Sequence, residues 1–221
     1  MLARWKAAAV IAGLFIFGMG LGGRSFFNPY AIAVFCQALV GLALASNLDF
    51  EPLPLSIAVS HRKGVFRQVL LTLLLSVLVV LPALVIGTVG LDIGQQVFGE
   101  NNFTQQAQGM LPSNKWLTFF LLLSGAGIAE ETTYRLLSLS LFWKITKRRW
   151  LAVFMSALLF GAYHLSPLNG MYRIFWQFPI SQFLASMLIG LVWGWLFVKR
   201  GYETAVLGHT LSDWLPLMLF T

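Results

Sequence analysis

Trp116-Leu117-Thr118-Phe119-Phe120-Leu121-Leu122-Leu123-Ser124-Gly125-Ala126-Gly127-Ile128-Ala129-Glu130-Glu131-Thr132-Thr133-Tyr134-Arg135-Leu136-Leu137 is an apolar run with two carboxylates and a guanidinium at its centre. It continues to Trp143, more than the ~20 residues a helix needs to cross ~30 Å of hydrocarbon. An isolated charge at that depth costs ~2.5–3.5 kcal/mol on insertion scales, so ionisable groups in such a run pair with one another or mark function. Spacing offers the pairing. Glu131 and Arg135 are four apart and share a helix face, which predicts an ion pair. Glu130 points about 100° away, beside Tyr134, and is left free to face a cavity.

The rest of the chain repeats the apolar pattern. Of 221 residues, 58% are hydrophobic and 10% charged, against roughly 25% charged in a soluble domain. We read seven candidate spans: Ala7–Leu21, Pro29–Leu48, Val69–Leu91, Trp116–Trp143, Trp150–His164, Phe175–Val198 and Tyr202–Phe220. The first has the outline of a signal peptide, with Arg4 and Lys6 ahead of an apolar core, and we expect a retained anchor. The fifth and seventh are short, and Pro216 is expected to break the seventh, as in helices that end inside a bundle. The expected fold is all-α: a polytopic transmembrane helical bundle forming one domain over 1–221, with its motif-bearing core at about 116–221.

Lys and Arg alternate with the spans. Arg4, Lys6, Arg62, Lys63, Arg67, Lys144, Lys147, Arg148, Arg149, Lys199 and Arg200 fall in one set of connections, and only Arg24, Lys115 and Arg173 in the other. By the positive-inside rule the topology is N-in and C-out. These clusters flank apolar runs, so the net charge of +7 fits topology and anionic lipid and gives no case for nucleic acid. His61 sits beside Arg62 and Lys63 and reads as a headgroup-level residue. The polar connection from Asp92 to Lys115 reads either as an amphipathic interfacial helix or as a loop. The single cysteine, Cys36, excludes a disulfide framework and reads as a buried, inert thiol. Gly18 with Gly22, and Gly190 with Gly194, have the spacing that lets helices approach closely.

Besides Glu130, Glu131 and Arg135, and leaving aside Glu203 at a span end, three charged or histidine residues fall inside spans: His164, His209 and Asp213. Phe160 and His164 share a face by their spacing, as do His209 and Asp213. Three helices of one bundle can aim such groups at a common point. Glu130-Glu131-x-x-x-Arg135, Phe160-x-x-x-His164 and His209-x-x-x-Asp213 resemble, in order and placement, the three motifs of the CPBP family. These are the CAAX-processing and bacteriocin-processing (Abi) intramembrane proteases, among them the type II CAAX prenyl protease. The likeness extends over Gly127–Trp214. It departs in Asp213, where the prenyl-processing branch usually has Asn, and in seven spans against the eight of the eukaryotic enzyme.

The resemblance implies peptide hydrolysis by a water that Glu130 activates, with His164 beside that water. His209 and Asp213 give oxyanion support, and Glu131, Arg135, Tyr134 and Phe160 support the site. On their own, the residues also allow Asp213 to fix the tautomer of His209 or to form part of a polar cavity. Glu130, His164 and His209 are a two-His-one-carboxylate set of the kind that binds catalytic zinc. The spacing does not resemble H-E-x-x-H; no cofactor is favoured and zinc is the alternative. Proton-coupled transport also uses buried Glu, Arg and His, but no inverted repeat accompanies them here. A non-catalytic immunity or scaffold protein on the same fold stays open. The partners expected are the bilayer and a membrane-bound protein or peptide substrate, in a bacterial plasma membrane.

Depth is set by helix rise. His164 is about 22 Å along its helix from Arg149, and His209 about 14 Å from Arg200. Glu130 is central in its span. The three meet near mid-membrane, under a rim formed by Leu165–Gly170 that faces the Asp92–Lys115 connection. This predicts an outward or lateral opening.

Overall fold

The computed structural model describes residues 2–99, 106 and 109–220. Every regular element among them is helical: α1 Leu2–Leu21, α2 Tyr30–Ala45, α3 Pro54–His61, α4 Val65–Leu78 and α5 Val80–Phe98 come first. Next is a continuous rod over 115–146, made of α6 Lys115–Leu122, two π-helical segments, Leu123–Glu130 (π1) and Thr132–Leu139 (π2), and α7 Ser140–Thr146. The chain closes with α8 Arg149–His164, α9 Tyr172–Phe175, α10 Pro179–Arg200 and α11 Tyr202–Phe220. Helix covers most of each of the seven apolar stretches. Among the described residues, three helical stretches, Arg4–Leu21, Val65–Phe98 (α4 with α5) and Pro179–Arg200, are long and apolar enough to cross a membrane.

Local chemistry sets the breaks. Pro82 in the first turn of α5 has no N–H to give Leu78, and the regular helix is interrupted at Val79 between α4 and α5. Asn114 caps the rod, its side chain accepting from the backbone N–H of Trp116 and Leu117. Pro216 does not break the last span as expected: α11 runs through it to Phe220. Removing one backbone bond near a helix end costs less than unwinding the turn beyond it. The connection from Asp92 starts as helix, since α5 extends to Phe98; most of its remainder lies outside the described residues. Helix α3, ahead of the basic turn, has no counterpart among the seven apolar stretches.

The rod is central. It packs against α1, α2, α8, α10 and α11. Both glycine pairs sit at close crossings, as their spacing predicts. A Cβ on Gly22 would lie 2.9 Å from the Leu121 nitrogen, and one on Gly18 would collide with Ser124, so α1 rests on the rod. Gly190 and Gly194 bring α10 against Ala157 and Val153 of α8. Gly127 of π1 lies so close to α11 that a Cβ would meet Thr210 and approach the Val206 carbonyl to 3.2 Å. The main core joins Phe15, Val34, Ala38, Leu136, Leu139, Val153, Phe197 and Ala205 across these helices. Cys36 corrects one expectation: it is exposed, on the outward face of α2.

Candidate active site

The π winding brackets Glu130 and Glu131, and hydroxyls serve the carbonyls around it. Tyr202 Oη donates to the Ile128 carbonyl (3.1 Å) and lies 2.7 Å from Thr132 Oγ1. Thr133 Oγ1 is 2.9 Å from both the Ala129 carbonyl and Gln37 Oε1 of α2. Ser138 donates to the Thr133 carbonyl and Ser156 to the Tyr134 carbonyl. A π turn widens the helix and misaligns its ladder, and each group buried without a partner would carry a desolvation cost of roughly 1–3 kcal/mol. Hydroxyl side chains from the rod, α8 and α11 meet that need. π turns inside α-helices occur frequently at functional sites.

Glu131 and Arg135 pair as their spacing predicts. Arg135 Nε lies 3.3 Å from Glu131 Oε2, and neither side chain has any solvent exposure. The guanidinium carbon sits 4.6 Å from the centre of the Phe160 ring and 5.7 Å from that of Trp193. Aromatic faces thus supply part of what water would give this cation.

The other oxygen of Glu131 reaches α11. His209 Nδ1 is 2.8 Å from Glu131 Oε1. A carboxylate held by a guanidinium is an acceptor, so this contact assigns the proton to Nδ1. Nε2, on the opposite edge of the ring, faces Asp213 Oδ2 at 3.6 Å and Glu130 Oε2 at 3.9 Å. It is Glu131, from another helix, that is placed to set the tautomer; Asp213 lies on the Nε2 side. Exposure rises across the cluster, from 0% for Glu131 and 3% for His209 to 20% for Glu130 and 37% for Asp213. The carboxylates beside Nε2 are therefore its accessible edge.

His164 stands one ring away. Its Nδ1 is 2.8 Å from the Phe160 carbonyl, which takes the Nδ1 proton and leaves Nε2 as the acceptor. Its ring lies 4.5 Å from Phe160, whose ring is 5.8 Å from that of His209. No ion pair within 4 Å joins it to Glu130 among the described residues. Nor is any group of three His, Cys, Asp or Glu side chains gathered as metal ligands among them. The candidate zinc set Glu130, His164 and His209 is thus not gathered as a ligand set among the described residues. Tyr134, 6% exposed, packs its ring 5.2 Å from Phe160 and 5.3 Å from Tyr163.

Two contributors escape the motif reading. Trp193 of α10 stacks flat on His209, with ring centres 3.5 Å apart and planes 22° apart. Tyr202 ties the start of α11 to the carbonyl and hydroxyl flanking the two glutamates. Trp193 sits in an apolar span where an aromatic residue reads as lipid- or core-facing, and no local spacing signals its partner. Tyr202 is set apart only by opening the span that carries His209.

The Glu131–Arg135 pair generates a stability prediction. Removing one member of a buried pair costs about 3–5 kcal/mol in soluble proteins. Glu131→Gln and Arg135→Ala should each lower the melting temperature in detergent by several degrees or more. Unchanged melting in both would show that the pair does not hold the rod to its neighbours.

No curated protein and no solved structure gives a significant match to this chain. Residues 112–215, which hold every member of the charge cluster and His164, match the family model described as Type II CAAX prenyl endopeptidase Rce1-like. This segment is thus similar to the CAAX protease family that its three motifs resemble.

Proposed function

We propose that the chain is an intramembrane endopeptidase that hydrolyses a peptide bond of a membrane-associated or lipid-modified protein, or of a leader peptide, with a water activated by Glu130. The observation that carries the proposal is the two-edged use of His209. One nitrogen is fixed by Glu131 and the other is turned to Glu130 and Asp213 at the accessible edge. A gap of 3.9 Å is too long for a direct hydrogen bond. It suits a water bonded to both atoms from beside the line that joins them.

In this scheme Glu130 takes a proton as the water oxygen attacks the scissile carbonyl carbon, and returns it to the leaving amine. With Nδ1–H committed to Glu131, His209 can offer the oxyanion a donor only from Nε2. That role requires the doubly protonated ring. Asp213 lies against the same nitrogen and would hold such a ring in place. His164, with Nε2 as acceptor, would hold the water or orient the substrate amide. Trp193 walls one face of His209 and fixes its plane.

Glu130→Gln should leave the protein folded and inserted while cleavage falls by about a thousandfold, within the range ascribed to a general base. Quantitative proteomics of membranes carrying the wild type or the variant would show an uncut precursor accumulating only with the variant. Identical fragment profiles would overturn the assignment. Trp193 generates a second expectation. Trp193→Leu should lower turnover about 10–100-fold, as small misplacements of catalytic groups do, and Trp193→Phe should restore most of it. The chain has three histidines, so ¹⁵N labelling can track the His209 ring directly. A ring signal unchanged in Trp193→Leu would remove Trp193 from the site.

The arrangement in the membrane is part of the proposal: seven spans, N-in and C-out, in a bacterial plasma membrane, with the site open outward or laterally. The distribution of Lys and Arg supports it, as does the rim beyond His164. Gln177 Nε2 donates to Gln106 Oε1 (2.6 Å), and Gly94 packs on Phe178, joining the 92–115 connection to the start of α10. Cysteines placed singly at Ser166 and Thr146 would test the orientation. The background needs Cys36→Ser, since that thiol is exposed. A membrane-impermeant thiol reagent on intact cells should label position 166 and spare 146. The reverse pattern would overturn the orientation.

A further inference from the structure

Arg4 of α1 and Lys144 of α7 come from distant parts of the sequence and line one groove of about 360 Å³. That size falls in the ordinary range for ligand sites. The wall between them is α2, through Leu39, Val40, Ala43 and Leu44. Trp5 also borders the groove and packs on Phe35 with ring centres 5.2 Å apart. Both cations are exposed. Ion pairs among the described residues centre on Glu130, Glu131 and Asp213, and neither Arg4 nor Lys144 takes part in one. The groove therefore joins two uncompensated positive charges to a continuous aliphatic wall.

That pairing of surfaces matches one ligand chemistry: a phosphate ester attached to a hydrocarbon chain. A guanidinium presents a planar fork to phosphate oxygens and an ammonium adds a point charge. Basic pockets between transmembrane helices bind anionic headgroups in this way. Trp5 belongs at the same level, because indoles settle at the headgroup boundary. A second concavity, of about 480 Å³ beside α3 and α4, includes His61, Lys63 and Arg67 but also Glu51, which offsets their charge. The groove at α2 has no acidic residue in its wall.

We propose that α1, α2 and α7 hold one anionic phospholipid, its phosphate between Arg4 and Lys144 and an acyl chain along Leu39, Val40 and Leu44. The test is native mass spectrometry of the full chain in detergent. Phosphatidylglycerol, phosphatidylcholine of the same chain length and inorganic phosphate are titrated separately and in competition. A single phosphatidylglycerol adduct should be retained in preference to phosphatidylcholine, and inorganic phosphate should not displace it. Arg4→Gln with Lys144→Gln should weaken that adduct by about 25-fold, roughly fivefold for each cation. Ala43→Trp, which fills the groove and keeps both charges, should weaken it as well, and decides the matter if the double variant does not fold. Equal retention of the two lipids by the wild type would overturn the proposal, as would an adduct unaffected by the substitutions. So would displacement by inorganic phosphate, which marks a free-anion site, or an Ala43→Trp effect on dimer in place of lipid, which marks an interface between copies.

Discussion

The carboxylate of Glu131 has no solvent exposure and two partners: the guanidinium of Arg135 one turn along the rod and the imidazole of His209 on α11. An ionised carboxylate in an apolar interior is tolerated only when paired and hydrogen-bonded. Arg135 meets the first need from a fixed helical spacing. His209 meets the second only if α11 lies against the rod at one height and one rotation. The buried charge thereby constrains the relation between two helices that share no local sequence. Gly127 lets their backbones approach, and Tyr202 bonds the start of α11 beside the glutamates.

Consecutive residues on a helix point about 100° apart, so neighbouring carboxylates cannot both meet one atom of a third group. An imidazole removes the conflict, because its nitrogens lie on opposite edges of a rigid ring. Glu131 holds Nδ1 while Glu130 and Asp213 lie toward Nε2. The same ring is clamped across its plane by Trp193 and met edge-on by Phe160. Its position is thus set from α10, α8 and the rod together. The edge toward Glu130 and Asp213 is the more exposed side of the cluster.

Legibility in the sequence tracks distance along the chain. The Glu131–Arg135 pair and the contact of Phe160 with His164 are four-residue relations, and both are present. Helices in all seven apolar stretches are expected from hydropathy alone. The partner of His209 Nδ1 is not. Asp213, four residues on, is the nearest candidate by spacing, and the contact made instead is 78 residues away. The π winding is hidden because its cause is spread over Tyr202, Thr133, Ser138 and Ser156, hydroxyls that read as ordinary bundle residues one at a time. Cys36 is misplaced by sequence reasoning because an apolar run signals membrane depth and not which face of the helix turns outward.

Each candidate site residue lies between Glu130 and Asp213, within the segment that matches the family model; helices α1 to α5 contribute none. Their part is mechanical. Gly18 and Gly22 bring α1 onto the rod where π1 begins, and Gly41 of α2 sits against the Leu136 carbonyl of π2. Gln37 reaches Thr133 inside the widened turn. On the other side, Ser76 of α4 donates to the Thr204 carbonyl (3.2 Å), Thr72 meets the Thr204 hydroxyl, and Glu203 accepts from the Ser56 N–H (2.9 Å). The first half of the chain thus grips the rod from one side and the start of α11 from the other. The fully buried Glu131–Arg135 pair needs that enclosure, because in a low dielectric its contacts are strong when made and costly when left unmade.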